Sequence, residues 1–395
     1  MANNNENKIL NVPHLRFPEF SGEWKKCTLG EIGKGFDYGM NAAAKPFDGQ
    51  HKYIRITDID ESSAAYIDKD VVSPDGELQD SYLVKANDIL LARTGASTGK
   101  SYLYDNKDGI LYFAGFLIRV NIPSDNAYFV FSQLHLSRYR KWIGIMSARS
   151  GQPGVNSQEY SNYPIYLPKI EEQTKIAKLL KLVDERIAAQ NKIIEDLKKL
   201  KSAIINKLFD NLEGERCTYR ELFQIVNDRN KDFHFNKVIA ASQEYGMVER
   251  DTLNLKVQFD ESSINTYKII RTGDYVVYLR SFQGGFAFSE LDGICSPAYI
   301  ILRPNTRILS YGFLRYYFVS QPFINSLRLV TYGIRDGRSI NVEEWMDMPI
   351  SIPDKSIQDQ ILKTIQSIDN KLLNERHYLN SLLNERQFFL GNMFI

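Results

Sequence analysis

A glycine-rich stretch is the first place where residue types and spacing suggest chemistry. Residues 94–101 read TGASTGKS and nearly match the G-x-x-x-x-G-K-[ST] loop, whose backbone amides bind nucleotide phosphates. Either Thr94 replaces the first glycine, or Gly95 leaves three intervening residues instead of four. A strand-like segment follows Lys100 where the motif needs a helix. The sequence therefore disfavours an ATPase site.

The same loop carries side chains suited to DNA phosphates. Arginine, lysine, serine and threonine make most protein contacts to the phosphate backbone. The candidates here are Arg93, Thr94, Ser97, Thr98 and Lys100. A tight glycine turn between two strands explains these residues equally well, so both interpretations stay open.

Three further loops contain residue types that read bases. Arginine pairs with guanine, and glutamine or asparagine with adenine, through paired hydrogen bonds in the major groove. The base-reading candidates are Arg149, Gln152 and Asn156 in the first half, and Arg335, Arg338 and Asn341 in the second. Arg280, Ser281 and Gln283 lie in the duplicate of the 94–101 loop and are further DNA-binding candidates. Asn156 and Asn341 are also typical residues for capping the segment that follows.

Catalytic motifs of other kinds are not evident. A methyltransferase needs an Asn/Asp-Pro-Pro-aromatic segment, and the sequence contains no Pro-Pro pair. Asp58, Asp60 and Glu61 lie close together, but they read as a solvated strand end rather than a nuclease site. Five scattered histidines show no metal-ligand spacing. We therefore expect no catalytic residue, metal or cofactor in this chain.

Composition narrows the class further. The chain has 395 residues, 43% of them apolar, and a formal net charge of +1, so any DNA-binding surface must concentrate its positive charge locally. Three cysteines without CxxC spacing indicate a reducing compartment. No signal peptide or membrane-spanning run is visible. We expect a cytoplasmic protein that does not contact membranes.

An internal duplication organises the chain. The stretch from Pro164 to Phe209 aligns without a gap with the stretch from Pro349 to Phe394, which lies 185 positions later. Identical pairs include Gln173 with Gln358 and Asp184 with Asp369. Flanking segments also recur, as in CTLGEI at 27–32 and CTYREL at 217–222. The duplication therefore covers whole halves of the chain.

Apolar residues in both copies alternate at spacings of four and three, which is typical of a coiled-coil seam. The seam positions are Ile176, Leu180, Val183, Ile187, Gln190, Ile194, Leu197, Lys201, Ile204 and Leu208 in the first copy, and Ile361, Ile365, Ile368, Leu372, Glu375, Leu379, Leu382, Arg386, Phe389 and Met393 in the second. We expect the two helices to pair antiparallel, although a parallel pair is also sterically possible. The antiparallel register that keeps the repeat symmetric places Gln190 opposite Arg386 and Lys201 opposite Glu375, with opposite charges in the seam.

The predicted fold is α+β. Two strand-rich domains form a pseudo-two-fold tandem repeat, separated by two long helices that form an antiparallel coiled coil. The expected segments are an N-terminal docking segment at 1–23, a first domain at 24–163, a first helix at 164–210, a second domain at 215–348 and a second helix at 349–395.

Several of these segments together resemble the specificity subunit of a type I restriction–modification enzyme. They are LRFPEFSGEW, NDILLARTGASTGK, SGQPGVN and YPIYLPKIEEQTKIAKLL, in a duplicated chain. The second copy departs from the pattern, because it reads IQDQIL without the two glutamates. The resemblance implies two target-recognition domains that each read half of a bipartite, asymmetric sequence in double-stranded DNA.

The resemblance also implies partners. The helices would be conserved spacers that dock two methyltransferase subunits, and restriction subunits would complete the nuclease. S-adenosylmethionine, ATP and magnesium would then bind the partner subunits. A coiled-coil scaffold without DNA binding, or a stand-alone DNA-modifying enzyme, are the competing classes.

Overall fold

The computed structural model of the protein describes residues 11–61, 63–148, 154–210, 212–242, 245–252, 261–278, 285–332 and 339–395. The chain divides into two compact units. Unit 1 contains Met1–Asn191 and His377–Ile395, and unit 2 contains Lys192–Arg376. Each unit therefore combines one strand-rich domain with a part of each long helix.

Unit 1 is built from short strands and, apart from one long helix, short helices. Its strands are β1 (Lys25–Thr28), β2 (Lys34–Tyr38), β3 (Ala43–Pro46), β4 (Lys52–Ile54), β5 (Val72–Asp75), β6 (Asp88–Ala92), β7 (Ser101–Leu103), β8 (Leu111–Phe113), β9 (Leu117–Asn121) and β10 (Pro164–Leu167). Its helices are α1 (Leu29–Ile32), α2 (Ala127–Gln133), α3 (Ser137–Ser147), α4 (Ser157–Ser161) and the first part of α5 (Ile170–Asp210).

A four-stranded antiparallel sheet forms the centre of unit 1, in the order β2-β9-β6-β7. The β6 sequence DILLA is buried along its whole length. Ile89 and Leu91 join one apolar cluster, whereas Leu90 and Ala92 join another. This alternation follows from the two-residue period of a strand and explains why β6 is apolar on both faces.

Unit 2 repeats this plan. Its strands are β11 (Glu215–Thr218), β12 (Phe223–Val226), β13 (Ile239–Ser242), β14 (Gly246–Glu249), β15 (Lys268–Ile270), β16 (Tyr275–Val277), β17 (Phe286–Phe288), β18 (Gly293–Cys295), β19 (Ile300–Pro304), β20 (Thr331–Tyr332), β21 (Ser339–Ile340) and β22 (Pro349–Ile352). Its helices are α6 (Tyr219–Leu222), α7 (Phe313–Tyr317), α8 (Gln321–Ser326), α9 (Val342–Met346) and most of α10 (Lys355–Asn392). The end of α5 also belongs to unit 2, and the end of α10 belongs to unit 1.

Strand order shows that the two domains share one topology. The central sheet of unit 2 runs β12-β19-β16-β17, in which each strand is the counterpart of one in unit 1. In both units a strand at the start of the domain pairs antiparallel with the strand that leads into a long helix, β1 with β10 and β11 with β22. A Thr–Glu capping box follows each of these first strands, at Thr28 and Thr218. The structure confirms the predicted α+β class with a tandem repeat.

Two segments differ from what their residue types favour. The β-branched and aromatic residues of KYIRITDI at 52–59 favour a strand, but the strand covers only Lys52–Ile54, because Arg55 and Asp58 close a 3₁₀ turn through a paired ion contact. The aromatic stretch at 126–147 reads as helix-like, and the structure divides it into α2 and α3. In the first case an ion pair between near neighbours outweighs the strand preference of the surrounding residues.

The long helices pair antiparallel within each unit. In unit 1, Ile176 and Leu180 on α5 share a cluster with Leu390 and Met393 on α10, and Val183 packs near Leu382. In unit 2, Ile205 and Phe209 share a core with Ile361 and Ile365. Later residues on α5 thus meet earlier residues on α10, as an antiparallel pair requires.

Most seam positions named from the sequence are shielded from solvent. Ile176, Leu180, Val183, Ile187, Gln190, Ile194, Ile361, Ile365, Leu372 and Leu382 are buried, and Leu197, Lys201, Ile368, Glu375, Leu379 and Arg386 are partly buried. Toward the end of α5 the most buried positions are Ile205 and Phe209 instead of Ile204 and Leu208. A helix of 3.6 residues per turn drifts by about 20° per heptad relative to a strict seam, which accounts for a one-residue shift.

The predicted charge pairing in the seam is wrong. Arg386 donates to Asp184 instead of facing Gln190, and Lys201 donates to Asp369 instead of facing Glu375. A carboxylate is a stronger partner for a guanidinium than a neutral amide is, so the aspartates set the register. The new pairs are still symmetric under the repeat, because both members of one pair lie 185 positions from the members of the other.

Candidate nucleic-acid interface

The glycine-rich stretch is a tight turn that joins β6 to β7 in unit 1. Ala92 N and Lys100 O are 2.8 Å apart, and Gly99 N donates to Ala92 O at 2.9 Å. Gly95 has a φ of +68°, in the left-handed region where a residue with a Cβ is strained. No helix follows Lys100, since β7 begins at Ser101. The arrangement is a strand–turn–strand hairpin and not a nucleotide-phosphate loop.

The candidate phosphate-binding side chains on this turn differ in the contacts that they already make within the protein. The Thr98 hydroxyl donates to Gly95 O at 2.7 Å, so it stabilises the turn. Lys100 Nζ lies 3.7 Å from Glu61 Oε2, and the Glu61 side chain is 88% exposed. The Lys100 side chain is 23% exposed, so only the carboxylate of this pair is open to solvent. A long ion pair with an exposed carboxylate contributes little stability and can be replaced by a phosphate contact. Ser97 lies in the 3₁₀ segment at Gly95–Ser97.

Arg93 and Thr94 lie where this turn meets a second candidate loop. Val155 N donates to Arg93 O at 2.9 Å, and Thr94 forms an isolated antiparallel bridge with Gly154. The Arg93 guanidinium lies over the Tyr38 ring, 4.8 Å from its centroid. Two loops that are about 60 residues apart in sequence therefore contribute to one surface.

Two aromatic residues on this surface were not among the candidates. The Tyr38 hydroxyl lies 3.3 Å from both the hydroxyl and the backbone amide of Ser157, contacts that, together with Arg93, lower the pKa of Tyr38. Phe116 is 57% exposed on the turn between β8 and β9, and its carbonyl accepts from Arg93 N at 3.0 Å. Sequence reasoning missed both, because each lies in a segment that reads as strand.

Asn156 and Asn341 act as helix caps. Asn156 Oδ1 accepts from Glu159 N at 2.9 Å, and Glu159 Oε2 accepts from Asn156 N at 2.8 Å, which is a complete capping box. Asn341 Oδ1 accepts from Glu344 N, and Asn341 Nδ2 donates to Glu344 Oε1 at 2.7 Å. The structure thus supports the capping interpretation of both residues, and a base contact by either stays a prediction.

The remaining candidates lie outside the described residues. They are Arg149, Gln152, Arg280, Ser281, Gln283, Arg335 and Arg338. Tyr278 N donates to Gly285 O at 2.9 Å on either side of 279–284, and β20 pairs with β21 on either side of 333–338.

In unit 1, a carboxylate-centred contact joins the strand-rich domain to the helix pair. Asp184 on α5 accepts from Arg386 Nε on α10 at 2.5 Å and also from the Tyr128 hydroxyl on α2. Burial and the neighbouring Asp184 carboxylate raise the pKa of Tyr128 well above its ordinary value, so the hydroxyl stays a donor. One carboxylate thus connects three helices.

Unit 2 contains the same contact at equivalent positions. Asp369 on α10 accepts from Lys201 on α5 and from the Tyr316 hydroxyl on α7, the latter at 2.9 Å. The Lys201 ammonium also lies 5.4 Å from the centroid of the Tyr316 ring. We call these two sets of three residues the Asp184 lock and the Asp369 lock. The identical Asp184 and Asp369 were visible in the repeat, but their partners were not.

A second repeated contact anchors the start of each long helix. Gln173 Oε1 accepts from Asn126 N at 3.0 Å, and its Nε2 donates to Pro168 O. Gln358 Oε1 accepts from Ser310 N at 2.8 Å, and its Nε2 donates to Pro353 O. Both glutamines are buried, at 1% and 0% exposure. The identical Pro and Gln residues of the repeat therefore tie each helix to its own domain.

The described residues offer few other kinds of site. Within them, no group of three or more His, Cys, Asp or Glu side chains is arranged to hold a metal ion. None of the helices in the described ranges is both long and apolar enough to cross a membrane.

The chain is similar to known proteins of one class. Residues 21–199 match the family model of the type I restriction modification DNA specificity domain. The type I restriction enzyme MjaVIII specificity subunit of Methanocaldococcus jannaschii is 25% identical over 404 aligned residues, which cover 92% of this chain and 90% of the relative.

Solved structures share the fold over nearly the whole chain. The S subunit of a type I restriction–modification system from M. genitalium aligns with a TM-score of 0.55 at 15% identity, covering 97% of this chain and 99% of that one. A chain from a structure concerned with complex assembly and conformational transition of the type I R-M system aligns with a TM-score of 0.58 at 15% identity, covering 94% of this chain and 97% of that one.

Residues 21–199 thus match a DNA specificity domain of type I restriction–modification systems, and the tandem fold with paired helices is shared with a solved S subunit. Over nearly its whole length, the chain is similar to specificity subunits of the type I class.

Proposed function

We propose that this chain is a type I specificity subunit and that it reads a bipartite, asymmetric sequence in double-stranded DNA, with one half of the target read by each unit. The observation that carries the proposal is the repeated topology, which puts a β6–β7 turn in unit 1 and a β16–β17 connection in unit 2 at equivalent places. Candidate DNA-binding residues fall in both connections. Equivalent loops with different sequences let two copies of one domain recognise different bases.

The long helices have a separate proposed role. Helix α5 has 41 residues, which corresponds to a length of about 60 Å at 1.5 Å per residue. We propose that this length sets the gap between the two half-sites and that the helices dock two methyltransferase subunits. Restriction subunits then join this core, and S-adenosylmethionine, ATP and magnesium bind the partner subunits. The chain itself is proposed to be non-catalytic and cytoplasmic.

The decisive experiment compares DNA methylation in cells with and without this chain. The expected result is a single split motif that is methylated only when the chain is present. Replacing residues 215–348 by the corresponding domain of another specificity subunit should change one half of the motif and leave the other half intact. A change in both halves, or in neither, would contradict the assignment of one half to each unit.

DNA binding by the purified complex with methyltransferase subunits separates the competing classes. A scaffold predicts no salt-dependent DNA binding, whereas a stand-alone enzyme predicts methylation or cleavage by the chain alone. Lys100→Met should weaken binding to all DNA sequences alike and reduce the salt dependence by about one phosphate contact. Lys107→Met is the matched control, because Lys107 is 75% exposed and follows the end of β7 that lies away from the turn.

A helix-length test addresses the spacing role. Inserting one whole helical turn within 190–205 should lengthen the gap in the methylated motif by a base pair or so. An unchanged gap in a variant that still methylates DNA would argue that the helices do not set the spacing.

A further inference from the structure

The turn between β8 and β9 in unit 1 carries an aromatic side chain that the proposed function has not used. Leu117 N donates to Ala114 O at 2.9 Å and closes the turn. Phe113 and Leu117 on either side are both 0% exposed, whereas Phe116 is 57% exposed. The turn therefore presents one large apolar side chain to solvent between two core residues.

A single exposed apolar residue is ordinary by itself, so a role for Phe116 must be argued from the location of its turn. Arg93 N donates to Phe116 O at 3.0 Å, and Arg93 O accepts from Val155 N at 2.9 Å. Thr94 bridges to Gly154 in the loop beyond. Phe116 thus lies where three connections meet, and two of them carry candidate DNA-binding residues.

Tyr38 extends the same surface. Its ring is 40% exposed and stacks with the Arg93 guanidinium at 4.8 Å. Gly39 N donates to Leu117 O at 3.1 Å, so the end of β2 lies beside the Phe116 turn. An arginine with aromatic rings and hydroxyl groups around it is a combination that suits nucleic acid, because it offers charge, hydrogen bonds and apolar faces together.

Unit 2 lacks this aromatic residue. Ile118 pairs with Leu91 in unit 1, and Ile300 pairs with Val277 in unit 2, so residues of β9 correspond to residues 182 positions later in β19. The counterpart of Phe116 is therefore Ala298, an exposed residue with a single methyl group. The two units therefore differ in the size of the exposed apolar side chain at this equivalent position.

We propose that Phe116 is a DNA-contacting residue of unit 1, which places its ring against the bases of the half-site that unit 1 reads. This inference rests on the proposed function. A phenyl ring has no donor for a phosphate, but it packs well against a thymine methyl group or the face of an unstacked base. Unit 1 therefore reads its half-site partly through apolar contact, which unit 2 cannot make at Ala298.

The test uses the complex with methyltransferase subunits and the motif found by methylation profiling. Phe116→Ala should weaken binding to the specific target by roughly 5-fold to 100-fold, the range expected for losing one base–aromatic contact. The salt dependence should stay as in wild type, because no charge is removed. Phe47→Ala is the control, since Phe47 is 40% exposed and directly follows β3, which pairs with β5 in a different sheet from β9. Equal affinities of wild type and Phe116→Ala would overturn the proposal.

Two modified DNAs identify the contact. If Phe116 packs on a thymine methyl group, deoxyuridine at one position weakens wild type but not Phe116→Ala. If Phe116 unstacks a base, the fluorescence of 2-aminopurine placed at that base step should rise when wild type binds and stay low when Phe116→Ala binds. A null result with both DNAs at every position of the half-site contradicts a base contact. Failure of wild type to bind DNA at all would instead refute the proposed function.

A reciprocal substitution tests the asymmetry between units. Ala298→Phe should change the preferred bases in the half-site read by unit 2 and leave the other half of the motif unchanged. Phe116→Leu should recover part of the affinity lost in Phe116→Ala, because it restores apolar area without an aromatic face. Changes in both half-sites from either substitution would count against a local base contact.

Discussion

The Asp184 lock predicts a measurable coupling between the strand-rich domain and the helix pair of unit 1. Asp184→Asn keeps the side-chain shape and one carbonyl acceptor for Tyr128, but it removes the charge that pairs with Arg386. The Arg386 side chain is only 14% exposed and that of Asp184 is 31% exposed. The substitution therefore leaves a cation with little access to water.

The magnitude follows from this intermediate burial. Breaking a fully buried ion pair costs about 3–5 kcal/mol, and an exposed pair contributes about 0.2–1 kcal/mol. A half-buried, charge-assisted contact lies between these limits, so Asp184→Asn should lower the free energy of unfolding by about 2 kcal/mol. Moderate salt should change this loss little, because the pair is partly shielded from ions.

Urea unfolding of a double-mutant cycle is the appropriate assay. Asp184→Asn, Arg386→Met and the double substitution should give a coupling free energy of about 1–2 kcal/mol. Glu195→Gln is the control on the same helix, because Glu195 and Lys199 form an open pair, and it should cost at most about 0.5 kcal/mol. A coupling free energy below about 0.3 kcal/mol would show that the lock contributes no more than a surface pair.

Three further predictions concern single residues. Burial lowers the pKa of His135 from 6.5 to about 4. Because the unfolded chain takes up a proton between these pH values and the folded chain does not, the free energy of unfolding should fall as pH drops from 6.5 to 4. His135→Gln should flatten that part of the profile of unfolding free energy against pH, measured in urea. Burial raises the pKa of Cys295 to about 12 and also raises that of Cys217. Because Cys295 is the more deeply buried, it should react with a thiol reagent at pH 8 more slowly than Cys217 does. Equal reaction rates would contradict its burial. Gln358→Ala leaves several buried backbone groups without a partner, so the free energy of unfolding should fall by about 3 kcal/mol. Gln360 on the same helix is exposed, and Gln360→Ala should change the free energy of unfolding by less than about 0.5 kcal/mol.

Repetition in the sequence predicted much of the architecture. The 185-residue offset, the 4-3 apolar spacing and the recurrence of CTLGEI and CTYREL indicated two similar domains and two long helices. These patterns are local and periodic, so they can be recognised without knowing which residues meet. The hairpin at 94–101 was likewise one of the two interpretations that the sequence left open.

Partner choice required the tertiary structure. The seam pattern is compatible with several antiparallel registers, and only the contacts of Asp184 with Arg386 and of Lys201 with Asp369 select one. Tyr128 lies about 55 residues before Asp184, and no short-range pattern connects them. Phe116 reads as one more apolar residue between strands until the fold shows that its neighbours are buried and that it is not. Periodicity specifies which residues share a face, whereas side-chain packing between distant segments decides which faces and charges meet.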